Sequence, residues 1–221
     1  MFQAIFETAF DACYLIGVVL AGLMLVKRGA ASPLVKKFGW MAVLLGAGDA
    51  FHLVPRVYAL WTTGVDANAA ALGVGKLITS VTMTAFYLIL YYIWRDRYGI
   101  KGHKGLTVTM WVLTVARVAL CALPQNDWLS ADPPLFWGIL RNIPFALMGI
   151  VIIWIFWQEV SKARDPVFKF MPLAILLSFG FYVPVVLFSA AVPAIGMLMV
   201  PKTLAYVWIV WMGWKLSRQT A

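Results

Sequence analysis

Apolar residues in this chain gather into long runs broken only by short polar stretches. The runs fall at 4–26, 38–61, 72–94, 106–123, 135–157, 167–190 and 197–215, each closed by charge or by Gly, Pro, Asn and Asp. A hydrocarbon core takes about 20 helical residues to cross, whereas a spanning strand needs only about 10. Within lipid a helix satisfies every backbone group inside one segment. The pattern therefore predicts an all-α polytopic membrane protein with seven transmembrane helices, residues 1–221 forming a single domain. The first run lacks a basic start and carries Glu7 and Asp11, so it reads as a span and not as a cleavable leader.

Composition agrees with this pattern. The chain is 63% apolar and 12% charged, against roughly 45–50% and 25% for a soluble domain, and the seven runs leave no length for a soluble catalytic domain. A formal charge of +9 would point to nucleic acid in a soluble protein, but the placement of the charge excludes that partner. Lys27, Arg28, Lys36 and Lys37 lie in the first loop, and Arg95, Arg97, Lys101 and Lys104 in the third. Lys162, Arg164 and Lys169 lie in the fifth, with Lys215 and Arg218 in the tail. The even loops carry only Asp66, Asp127 and Asp132. Basic loops stay in the cytoplasm, so the N-terminus is expected outside and the C-terminus inside, in the inner membrane of a bacterium. Trp40, Trp61, Trp94, Trp128, Trp157 and Trp214 fall near span ends, where an aromatic belt is expected.

Topology accounts for thirteen of the eighteen basic residues. The other five, Arg56, Lys76, Arg117, Arg141 and Lys202, lie inside predicted spans together with Glu7, Asp11, Asp49 and His52. At about 3 kcal/mol per charge at mid-helix, five such cations facing lipid would cost roughly 15 kcal/mol. They must instead face one another or water within the bundle. At about 1.5 Å per residue, Asp11, Arg56, Lys76, Arg117, Arg141 and Lys202 all lie roughly 6–10 Å below the outer edge. Six helices thus contribute to one polar layer, and the inner half is left nearly empty of charge.

The second span is the richest segment. Asp49, His52 and Arg56 are spaced i, i+3, i+7 and share a face, which makes Asp49 and His52 candidates for a proton relay or for a packing network. Pro55 cannot donate to the Phe51 carbonyl, and Gly46 and Gly48 admit a close neighbour. A guanidinium offers a planar fork suited to carboxylate or phosphate. Arg56, Lys76, Arg117, Arg141, Asn142, Lys202 and Tyr206 are accordingly the candidate ligand-binding residues, with Glu7 and Asp11 as counter-ions.

Other signals carry no chemistry. Gly73-Val74-Gly75-Lys76 lacks the strand and the following hydroxyl of a phosphate loop. One intramembrane histidine cannot build a metal or haem site, so no metal, cofactor or catalytic residue is expected. Cys13 and Cys121 read as packing residues. Short echoes, such as Phe6-x4-Asp11 with Phe136-x4-Arg141, are compatible with a 3+1+3 arrangement of parallel halves.

These features favour a transporter, proton-coupled through Asp49 and His52, for a small anionic or zwitterionic solute. Two alternatives stay open: an intramembrane enzyme acting on lipid headgroups, and a seven-helix ligand sensor. An enzyme is disfavoured because neither a nucleophile nor a metal set is evident. The expected partners are the bilayer and the ligand; a homo-oligomer is left open.

Overall fold

A computed structural model describes residues 1–189 and 191–219. It is all-helical among those residues, with seven helices long and apolar enough to cross a membrane. The helices are α1 (Phe2–Arg28), α2 (Pro33–Trp61), α3 (Ala69–Arg97), α4 (Lys104–Ala122), α5 (Leu135–Ala163), α6 (Met171–Phe188) and α7 (Met199–Gln219). The chain is thus an integral membrane protein. Several helices outrun their apolar runs: α2 starts five residues before residue 38, and α5 ends six residues after residue 157. Their polar turns lie beyond the hydrocarbon, where helix needs no hydropathy. The sixth is shorter than its run, starting at Met171 after a turn through Asp165–Phe170. The expected end at residue 190 lies outside the described residues.

Local chemistry sets the helix limits. Lys27 and Arg28 occupy the last turn of α1, and Arg95 and Arg97 that of α3, where the negative end of the helix dipole favours cations. Pro33 opens α2 and Pro172 lies in the first turn of α6, positions whose N–H groups have no intrahelical acceptor in any case. Pro55, Pro144 and Pro184 sit inside α2, α5 and α6.

Each helix packs on its neighbours in sequence, and α7 returns to α1, so the bundle is one closed ring. Contacts of α2 with α7 and of α3 with α5 cross its interior. The lipid-facing sides are apolar at helical spacing, as with Ile143, Leu147, Ile150, Trp154 and Trp157 on α5. Glycines allow the tightest approaches. A Cβ at Gly75 would overlap the Phe51 carbonyl, the acceptor left free by Pro55, and one at Gly73 would overlap the Trp128 carbonyl.

The two halves of the bundle differ. Buried apolar side chains concentrate toward the end bearing the basic loops: Leu25, Phe38, Met41, Leu90, Ile93 and Phe156 are all fully enclosed there. That end is also strapped. Asp165 accepts from Arg97 Nε at 2.8 Å and Nη2 at 3.1 Å, from the Tyr98 hydroxyl at 3.2 Å and from the Val167 N–H at 2.9 Å. Lys37 pairs with Asp96, and Arg28 lies 4.1 Å from the ring centre of Trp214. Burial alone would raise the Asp165 carboxyl; the Arg97 guanidinium and the Val167 and Phe168 N–H groups outweigh it and hold the group below the usual carboxylate range. Burial and the adjacent Asp165 charge push the Tyr98 phenol up. The charged groups of the spans occupy the other half.

Candidate functional site

The intramembrane charges fall into an acidic side and a basic side. Glu7, Asp11 and Asp49 belong to α1 and α2. Arg56 donates to Glu7 from Nε at 2.8 Å and from Nη2 at 3.2 Å, a bidentate pair. Asp11, one turn further along α1, is buried at 8% exposure. Tyr14 donates its hydroxyl to Asp49 Oδ2 at 2.6 Å, and the cation whose field acts most on Asp49 is Lys202. Beside it, Thr79 donates to the Gly48 carbonyl at 3.1 Å and ties α3 to α2.

His52 departs from the expected relay. It makes no hydrogen bond with Asp49 among the described residues, and its Nδ1 is buried without a partner. The two residues share a helix face, but α1 supplies Tyr14 to Asp49, while His52 turns toward the Leu72 carbonyl of α3. Asp49 and His52 thus share a helix face with no hydrogen bond between them among the described residues.

On the basic side, Lys76 is exposed and lines a cleft of about 80 Å³ with Asp66, Gly73, Trp128, Ser130 and Arg141. Arg141 is clamped within it. Its Nη1 donates to Asn126 Oδ1 at 2.8 Å, and its guanidinium lies 4.2 Å from the Trp128 ring centre. Asn126, at 0% exposure, donates to the Leu120 and Leu123 carbonyls at 2.7 and 2.8 Å. Trp128 donates Nε1 to the Cys121 carbonyl at 2.9 Å. The loop after α4 thus folds back over the helix end, turning through Asp127 at φ 46°. Sequence reasoning passed over Asn126 and placed Trp128 in the membrane belt; Pro124 and the turn-forming Asn126-Asp127 were the available signals.

Arg117 and Lys202 lie deepest. Arg117 is 2% exposed, with its guanidinium carbon 3.5 Å from the Phe145 ring centre. Its Nε and Nη1 have no hydrogen-bond partner among the described residues. Lys202 is 7% exposed, with Nζ 4.9 Å from the Tyr182 ring centre and 5.4 Å from that of Tyr206. Lys76, Arg117, Arg141 and Lys202 enter none of the ion pairs among the described residues. Neutral groups fill in around them: Tyr182 donates to Asn142 Oδ1 at 3.0 Å, and the Tyr87 hydroxyl lies 3.1 Å from Ser178 Oγ. Phe145, the ring under Arg117, was not singled out by the sequence. It lies one residue beyond Pro144 and one turn below Arg141 on the same helix face.

Magnitudes bear on what this arrangement is for. A buried donor without an acceptor costs about 1–3 kcal/mol, and the aromatic face under a desolvated guanidinium returns about 2 kcal/mol. Arg117, with two unpartnered nitrogens, is therefore not a net stabiliser of the bundle as it stands. The remaining site chemistry is sparse: both cysteines are free, and no group of three or more His, Cys, Asp or Glu side chains is set to hold a metal among the described residues. No family model, curated protein or solved structure matches the chain.

Proposed function

We propose that this chain is a transporter for a small anionic or zwitterionic solute that reaches it from the outer face. The supporting observation is Arg117: a buried guanidinium with an aromatic ring on one face, two unpartnered nitrogens and no carboxylate beside it. Its destabilising cost makes sense when a ligand oxygen completes the site. The orientation belongs to the proposal: basic loops and C-terminus in the cytoplasm of a bacterial cell, N-terminus and the Asp66, Asp127 and Asp132 loops outside.

Lys76 and Arg141 attract the solute into their cleft, and Arg117 and Lys202 receive it deeper. Flexing of α5 at Pro144, which lacks the N–H of an unbroken helix, carries Phe145 off Arg117 and lets an oxygen take its place. Asp49 exchanges the coupling proton, with Tyr14 holding its carboxyl, and His52 serves as a separate proton site. Glu7 and Asp11 balance Arg56 and Lys202 when the solute has left. In this reading α1–α3 and α5–α7 act as parallel halves joined by α4, with Asp11 and Arg141 at matching depths. Release inward requires opening the Asp165 strap and the apolar half beneath the site.

Saturable uptake of labelled anions into proteoliposomes tests this reading, and anion binding without any uptake would overturn it. One observation favours a second reading, the lipid-headgroup enzyme: an apolar groove of about 380 Å³ runs between α1 and α7 and reaches Tyr14, the partner of Asp49. New products in lipid extracts incubated with the pure protein would select it over transport.

A further inference from the structure

The basic side of the site specifies more than the sign of its ligand. Arg117, on α4, lies over Phe145 of α5, and Arg141 stands one helical turn from Phe145 on α5. Neither is paired with a carboxylate among the described residues. The acids of the spans are engaged elsewhere. Glu7 holds Arg56, Asp49 takes Tyr14 and feels Lys202, and Asp11 lies within the fields of Glu7, Arg56 and Asp49. Asp66, at the mouth of the cleft, is exposed and screened by solvent. Lys76, Arg117, Arg141 and Lys202 therefore stand without an ion-pair partner among the described residues where the solute would sit.

Shape adds a second constraint. The unpartnered Nε and Nη1 of Arg117 present N–H bonds on different edges of the guanidinium plane. A carboxylate has two coplanar oxygens and satisfies one edge. Lys202, which shares Tyr182 and Tyr206 with Arg117, adds donors from a third direction. Arg117 on α4, Arg141 on α5 and Lys202 on α7 come from three helices, and a tetrahedral group offers each of them an oxygen of its own.

We infer that the group recognised by Arg117, Lys202 and Arg141 is a phosphate dianion, either inorganic phosphate or the terminal phosphate of a monoester. This rests on the transport reading for its setting, but it is a statement about binding and can fail separately. A phosphate monoester carries about two negative charges at neutral pH and so offsets more of this unpaired positive charge than a carboxylate can.

The test is calorimetric titration of the purified full-length chain in detergent at constant ionic strength. The probes are inorganic phosphate, monomethyl phosphate, dimethyl phosphate and acetate. Phosphate and monomethyl phosphate should bind about tenfold or more tightly than dimethyl phosphate and acetate, the loss expected when a charge-assisted contact goes missing. R117K, which keeps the charge but not the planar donors, should erase that preference; if the variant does not fold, the wild-type series alone decides. Competition by phosphatidylcholine vesicles containing phosphatidate, but not by phosphatidylcholine alone, would identify a lipid as the source of the phosphate. No effect of phosphatidate, with monomethyl phosphate still bound, would identify a soluble solute. Dimethyl phosphate or acetate binding as tightly as the dianions, or no binding by any probe, would overturn the inference. Dianion binding without uptake would remove the transport reading and leave this one standing; uptake of monoanions without dianion preference would do the reverse.

Discussion

Replacing Arg117 with Met should make the ligand-free bundle more stable while removing its response to anions. Nε and Nη1 of Arg117 are buried with no acceptor, and at about 1–3 kcal/mol each they cost about 2–6 kcal/mol. The Phe145 ring 3.5 Å from the guanidinium offsets about 2 kcal/mol of that. Met is unbranched, apolar and adaptable in shape, so it fills much of the vacated space and keeps contact with Phe145. The balance is a gain of about 0–4 kcal/mol, overlapping the range of about 1–4 kcal/mol found when buried ionic groups give way to apolar ones of similar volume. Reversible unfolding in mixed micelles, followed by helical circular dichroism, reads the change directly. The same measurement with saturating phosphate should stabilise the wild type and leave R117M unmoved. Loss of about 2 kcal/mol or more in R117M without ligand would refute the reasoning, because Arg117 would then be a structural residue satisfied within the apo bundle.

Three further outcomes follow from the geometry. Asp165→Asn should cost about 2–4 kcal/mol by removing the negative charge and one of the two buried acceptor oxygens that serve Arg97 and Tyr98. The folded-state Asp165 carboxyl lies below its unfolded value, so its contribution is complete above about pH 4 and fades as pH falls below that; acid unfolding of the variant should accordingly show a flatter limb. Gly75→Ala should destabilise by about 1–3 kcal/mol, since its Cβ meets the Phe51 carbonyl, whereas Gly17→Ala, with nothing within 4 Å, should leave the melting temperature unchanged. Asp49→Asn keeps an acceptor for Tyr14 and should retain the fold, but uptake should no longer respond to a proton gradient.

Hydropathy is a property of each segment alone, and that is why the spans were legible. Lipid demands about 20 apolar residues wherever they occur, and the one-sided layer of cations followed from depth along each helix. Which charges meet was not legible, because that depends on rotation about helix axes. Asp49 and His52 share a face by spacing, yet neighbours on α1 and α3 take them in different directions. That the acids lie on the first two spans was legible, but which cations and hydroxyls they meet depends on how the ring packs. The Arg141 clamp was hidden for a related reason: Asn126 and Trp128 sit in a loop whose fold-back depends on the left-handed Asp127. Nothing in the sequence marks Phe145 as the ring on which Arg117 packs.

Uptake by proteoliposomes under an imposed proton gradient tests the central claim most directly, using labelled phosphate with wild type, Asp49→Asn and Arg117→Met side by side. Saturable, gradient-driven accumulation is expected of the wild type, equilibration without accumulation of Asp49→Asn, and no uptake above empty vesicles of a well-folded Arg117→Met. Wild-type vesicles that bind the anion but never accumulate it, or Arg117→Met vesicles that transport as well as the wild type, would contradict it.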